Sequence, residues 1–199
     1  MISKRSHRFG MIHRGLLNAI HAVRQNPGPN KARIMGPSVV SVTLDTNILP
    51  ADDLIAAVAR DDFELAVVSV TDREVSASAA LTAQLSVRRV PETLVWGESN
   101  WGDALWAGSA DADCLERVLD IIGDGSFPSP NRRNNLTNGQ RRQLRDAMIF
   151  CAHVKARRDI FVTNDTKGFI RGGRRQQLEE AFGTRIMTRD QFVSEFTGK

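Results

Sequence analysis

The sequence predicts an α/β domain built on an open, mostly parallel sheet, and three observations carry that expectation. Short apolar runs at Val39–Leu44, Glu64–Ser69 and Ile160–Thr163 have the length of strands, with helical stretches between them. That alternation is the pattern of a parallel sheet. Two of the runs spill onto an acid, Asp45 directly and Asp165 after Thr163-Asn164; ligands of open parallel sheets bind outside the carboxyl ends of the strands. Finally, the five consecutive apolar residues Met148–Ala152 are too many for a one-sided surface helix, so the helix that holds them is expected to be buried on most of its girth.

Taken in order, an N-terminal arm of residues 1–38 precedes the main domain, residues 39–199. Within the arm, Ile12, Leu16, Leu17, Ile20 and Val23 recur at helical spacing over Met11–Arg24, and Asn26-Pro-Gly-Pro-Asn stops the run. The arm reads either as a helix docked with its basic face in solvent or as an arm for nucleic acid. After the first strand, Asp52 or Asp53 can cap a helix through Arg60, and the strand ending at Ser69 opens a helix carrying Glu74.

Residues 90–135 form an inserted acidic segment. Trp96, Trp101 and Trp106 recur every five residues there, a step that gathers no single helical face. Packing of the insertion or a contact between copies is the expected role, with base stacking as the rival. An acidic helix over Asp113–Ile122 follows, and Gly123-Asp-Gly ends it. Thr137 with Gln140 is a capping box that starts the organising helix, so Asp146 lies in its third turn. Beyond the strand at Ile160 come a helix to Phe182 capped by Gly183, a short strand Arg185–Met187, and a last helix with Thr188 and Gln191 as a second capping box.

The 199 residues are 41% hydrophobic and contain no apolar run near 18 residues, which points away from a membrane span and toward the cytoplasm. Two cysteines, Cys114 and Cys151, show no metal-ligand spacing, so neither a disulfide framework nor zinc is expected. Cys151 reads as a small core residue. No Ser/His/Asp or Cys/His set and no glycine-rich phosphate loop is present. His153, the only histidine outside the arm, stands seven residues after Asp146, about 10 Å along a helix, and reads as a buried structural residue.

The net charge of +4 conceals blocks: residues 1–44 hold seven bases and no acid, 92–124 eight acids and one base, and 132–175 twelve bases and three acids. The last block surrounds Asp146 and Asp165. A positive field there suits a polyanionic substrate, although the arm and the insertion could also neutralise each other.

Asp45, Glu74, Asp146 and Asp165 are thus expected at one edge of one sheet. Like charges so gathered raise their own pKa values or draw in cations, and carboxylate ligands suit Mg²⁺ or Mn²⁺. At Leu44-Asp45-Thr46-Asn47, at Glu74, at Asp146 in Arg-Asp-Ala-Met-Ile and at Thr163-Asn164-Asp165 the chain resembles the PIN-domain family of metal-dependent nucleases, which includes VapC-type toxins; the resemblance spans roughly Val39 to Phe196. It implies a three-layer α/β/α sandwich, RNA as substrate, and an antitoxin protein as a candidate partner; a homo-oligomer is also expected. One departure is Lys167, which stands where many members carry a further acid, so one tight ion is expected rather than two.

On this reading Asp45, Asp146 and Asp165 hold the ion, and Glu74 completes the acidic cup and orients the attacking water. Asn47, Thr163 and Asn164 aim the acids, while Arg141, Arg142, Arg145, Lys167 and Arg171 meet phosphates. Two rivals stand beside it. One is a non-catalytic PIN-like module that binds RNA or protein. The other is a phosphatase with Asp45 as nucleophile, weakened by Asn47 where such sites carry a second Asp.

Overall fold

The structure is a computed structural model that describes residues 39–57, 62–75, 87–95, 98–99 and 104–196. The chain divides into two units, Met1–Gly36 and Pro37–Lys199, and the described residues all belong to the second. The expected arm helix, Trp96, Trp101 and the small-residue stretch after Val75 lie outside the described residues.

Along the chain run β1 (Val40–Leu44), α1 (Asp52–Ala57), β2 (Phe63–Val68), α2 (Ser69–Val75), β3 (Arg88–Val90), β4 (Glu92–Thr93) and β5 (Ala104–Leu105). They are followed by α3 (Ser109–Ile122), α4 (Asn138–Lys155), β6 (Ile160–Val162), α5 (Arg174–Phe182), β7 (Arg185–Met187) and α6 (Arg189–Phe196). The central sheet has the order β3-β2-β1-β6-β7. Every pairing in it is parallel. Helices on both faces make a three-layer α/β/α sandwich, as expected.

Period-two alternation sends successive strand residues to two different cores. Ala66, Val68, Phe161 and Ile186 face α3 and α4, where Val118, Leu119, Leu144, Met148 and Phe150 close the layer. Val42, Leu44, Val67, Ile160, Val162 and Met187 face the opposite layer of Leu54 and Phe192. The apolar run on α4 is buried from Ala147 to His153, because that helix meets the sheet on one side and α3 on the other. Phe150 sits at the centre, its ring 5.2 Å from Phe161 and 5.7 Å from Phe169.

Strand order locates the functional edge. From β1 the chain builds outward through β2 and β3, then returns to lay β6 and β7 on the other side. The order therefore reverses between β1 and β6, and a crevice opens outside their carboxyl ends. Asp45 follows β1, and Thr163-Asn164-Asp165 follows β6.

Several local expectations need correction. Strand β2 ends at Val68 and helix α2 begins at Ser69, one residue earlier than expected, so Glu74 lies in the helix's second turn. Asp52 and Asp53 both fall inside the first turn of α1. The acidic helix starts four residues early, at Ser109, because Asp111 reaches back to accept the Gly108 N–H at 2.8 Å. Strands β3, β4 and β5 were not anticipated. Trp106, beside β5, is 78% exposed. At the far edge the N–H of Ile186 on β7 bonds the Glu179 carboxylate at 2.7 Å.

His153 is fully buried, with Nδ1 2.9 Å from Thr43 Oγ1 and Nε2 2.5 Å from Thr184 Oγ1. Cys114 and Cys151 are free thiols whose sulfurs lie 2.9 Å apart. Among the described residues, no helix is long and apolar enough to cross a membrane.

Candidate active site

Asp45 is 2% exposed, and its carboxylate is held on three sides. Oδ1 accepts the Thr46 N–H at 2.8 Å, while Oδ2 accepts Asn47 Nδ2 and Thr163 Oγ1, each at 2.6 Å. The same Thr163 oxygen accepts the Asp165 N–H at 3.0 Å and lies 3.2 Å from Asn47 Nδ2. One hydroxyl thereby sets the spacing of both strand-end acids. Asn47 in turn accepts the Asn164 N–H at 2.8 Å.

Asn47 and Thr163 hydrogen-bond the Asp45 carboxylate through their side chains, whereas Asn164 joins this network through its backbone N–H. Its side-chain oxygen instead accepts the Arg189 N–H at the start of α6. Asp165 caps the turn after β6, Oδ1 accepting the N–H groups of Lys167 and Gly168 at 2.9 and 3.0 Å.

The remaining two acids arrive from helices. Glu74 projects from α2 and accepts a short hydrogen bond from Thr46 Oγ1, which also lies 3.3 Å from Thr71 Oγ1. Thr46 is a positioning residue that the sequence reading passed over, although it stands inside the Asp-Thr-Asn triplet that drew attention. Asp146 sits in the third turn of α4, whose start is fixed by the Thr137–Gln140 capping box.

Asp146 and Asp45 each feel the repulsion of the neighbouring acids. Burial, then the charges of Asp45, Asp165 and Glu74, push the Asp146 carboxyl up to about 8; Arg142 pulls the other way. Burial likewise raises Asp45 to about 6, assisted by Glu74 and Asp165 and opposed by the Thr163 and Thr46 hydrogen bonds. A carboxyl at about 8 holds its proton at neutral pH unless a cation compensates.

The donor set is all oxygen and mutually repelling, which fits a hard divalent ion such as Mg²⁺ or Mn²⁺. As placed, no three His, Cys, Asp or Glu side chains among the described residues stand close enough to hold one ion. Both oxygens of Asp45 are engaged by protein donors.

Beside the acids runs an open groove of about 450 Å³ lined by Arg142, Asp146, Asp165, Lys167, Arg171 and Arg174, among others. Arg142, Lys167 and Arg171 are exposed along it. Arg174, which the sequence reading did not single out, is anchored by the Lys167 carbonyl and Asp124 and stiffens the wall. Arg141 and Arg145 behave differently from what was expected. Both turn to Glu98, at 2.5 and 3.2 Å, and that side chain is only 5% exposed. Their charge is spent on tying the insertion to α4.

The sequence matches no family model, and no curated protein matches it.

Proposed function

We propose that the chain is a PIN-like, divalent-metal-dependent endoribonuclease. What supports this reading is the electrostatic reach of Asp146 to Asp45, Glu74 and Asp165, four acids from four separate elements at the point where strand order reverses. The wall of Arg142, Lys167 and Arg171 beside two of them is the second support, since a phosphodiester chain brings the opposite charge.

Asp45, Asp146 and Asp165 would hold the ion. When bound, Mg²⁺ or Mn²⁺ supplies Lewis acidity toward the phosphate and acidifies a water molecule. The chain's own residues do the rest. Thr163 and Asn47 keep the Asp45 carboxylate turned, backbone N–H groups fix Asp165, and Glu74, steadied by Thr46, receives the proton of the attacking water. The groove bases hold the flanking phosphates in register for in-line attack. Of the expected partners, RNA is the one these residues address; an antitoxin and a second copy of the chain rest on the sequence reading alone.

A cleavage assay on mixed structured and single-stranded RNA tests the proposal. Cleavage with Mg²⁺ or Mn²⁺, none with chelator and none in Asp146→Asn is expected. Cleavage that survives chelation would remove the metal from the mechanism.

The internal satisfaction of Asp45 favours one alternative, a non-catalytic module that binds RNA or protein. Mn²⁺ titration separates the two, because only an intact centre binds the ion and loses it on Asp45→Asn.

A further inference from the structure

Helices α3 and α4 pack together on one face of the sheet, and at their contact two thiols meet that the acidic site does not use. Cys114 on α3 and Cys151 on α4 are 37 positions apart in sequence with their sulfurs at 2.9 Å. A disulfide bond is about 2.05 Å long, so closure asks the sulfurs to approach by only about 0.9 Å. Cys151 borders an apolar cavity of about 170 Å³, which gives its side chain room to turn. Cys114 is half-buried, whereas Cys151 is 6% exposed.

We propose that Cys114 and Cys151 are an oxidisable pair that closes to an intrachain disulfide by exchange with a small-molecule disulfide, clamping α3 to α4. Cys114 is the attacking sulfur. The contact between the two sulfurs draws the Cys114 pKa down, against burial and Asp111, and pushes the Cys151 thiol up.

The steps balance. The Cys114 thiolate attacks one sulfur of the reagent, forming a mixed disulfide and expelling a thiolate that takes up the proton Cys114 gave. Cys151 then loses its proton and attacks the Cys114 sulfur, and the second reagent thiol leaves with that proton. Two cysteine thiols are oxidised and one reagent disulfide is reduced to two thiols. The bond would join the acidic insertion covalently to the helix that carries Asp146, five residues before Cys151.

Equilibration of the full chain with excess oxidised glutathione, followed by intact mass and peptide mapping, tests the pair. The wild type is expected to lose two hydrogens, retain no glutathione and yield one cross-linked peptide holding both cysteines. Cys151→Ala should stall with one glutathione on Cys114, and Cys114→Ala should take up none. The oxidised wild type should melt about 5–10 °C above the reduced protein, since the bond closes a loop of moderate length. Two thiols still open to alkylation after equilibration, a retained adduct on the wild type, or a bond joining two chains would overturn the proposal. The mass readout on wild type stands even if a variant fails to fold.

Discussion

Thr163 Oγ1 donates to Asp45 Oδ2 at 2.6 Å, a bond that joins residues 118 apart across the carboxyl ends of β6 and β1. The hydroxyl is fully buried and also accepts from the Asp165 N–H and Asn47. Thr163→Val keeps the volume and removes every one of these bonds. The expected cost is about 1–3 kcal/mol of stability and, on the proposed nuclease reading, a fall of about 10–100-fold in cleavage rate. Thr163→Ser should recover most of both. Chemical denaturation and single-turnover cleavage measure the two effects separately, and a Val variant with wild-type cleavage would detach Thr163 from the site.

Gly168 is required for steric reasons. A Cβ built there would collide with Asp165 Oδ2. Gly168→Ala should therefore push the Asp165 carboxylate from its place, lowering cleavage by at least about tenfold and stability by about 1–3 kcal/mol. Normal cleavage in this variant would show that the carboxylate can move without consequence.

The arginines divide into two groups with different signatures. Arg142→Ala and Arg171→Ala, in the groove, should weaken RNA binding and reduce the slope of log affinity against log salt by about one each. Arg141→Ala should leave that slope nearly unchanged and cost about 1 kcal/mol of stability, because its partner is the buried Glu98. Salt titrations of binding alongside thermal melts distinguish the groups; equal slopes for all three variants would contradict the division.

Much of the site was legible because it is encoded locally or at strand ends. The Thr137–Gln140 box joins residues only three positions apart and fixes the phase of α4, so Asp146 could be placed from sequence. Asp45 and Asp165 follow apolar runs whose length alone identifies them as strands. What was not legible depends on partners far along the chain. Arg141 and Arg145 read from the sequence as phosphate contacts, but Glu98, more than forty residues upstream, engages both. Strand β3 holds two exposed arginines, and its Arg88 is matched to Glu64 on β2 at 2.7 Å. β4 and β5 have two residues each, too few to show any period.

His153 sets a pH dependence. Burial, then Arg158, pushes its pKa down to about 3, so the folded protein keeps it neutral while the unfolded chain takes a proton near 6.5. Its contribution is fully present above pH 6.5 and is lost as pH falls toward 3, by up to about 1.4 kcal/mol per pH unit. Asp45 and Asp146, with raised values, pull the opposite way over part of this window, and Glu64, Asp111 and Asp159, with lowered values, add acid loss below about pH 4. The informative quantity is therefore a difference. Between pH 6.5 and 4 the wild type should lose stability relative to His153→Gln, and parallel curves would refute the assignment.

The bond from the Ile186 N–H to Glu179 closes the outer side of β7. Arg185 and Met187 spend their backbone groups on the β6 side, bonding to the Asp159 carbonyl and the Thr163 N–H, which leaves Ile186 as the residue facing outward. A carboxylate from α5 already occupies its donor. A strand arriving from another molecule would have to expel that charge before forming its first ladder bond, and would then leave a carboxylate without its partner. At β7, then, a sixth strand can join the sheet only by displacing the Glu179 carboxylate.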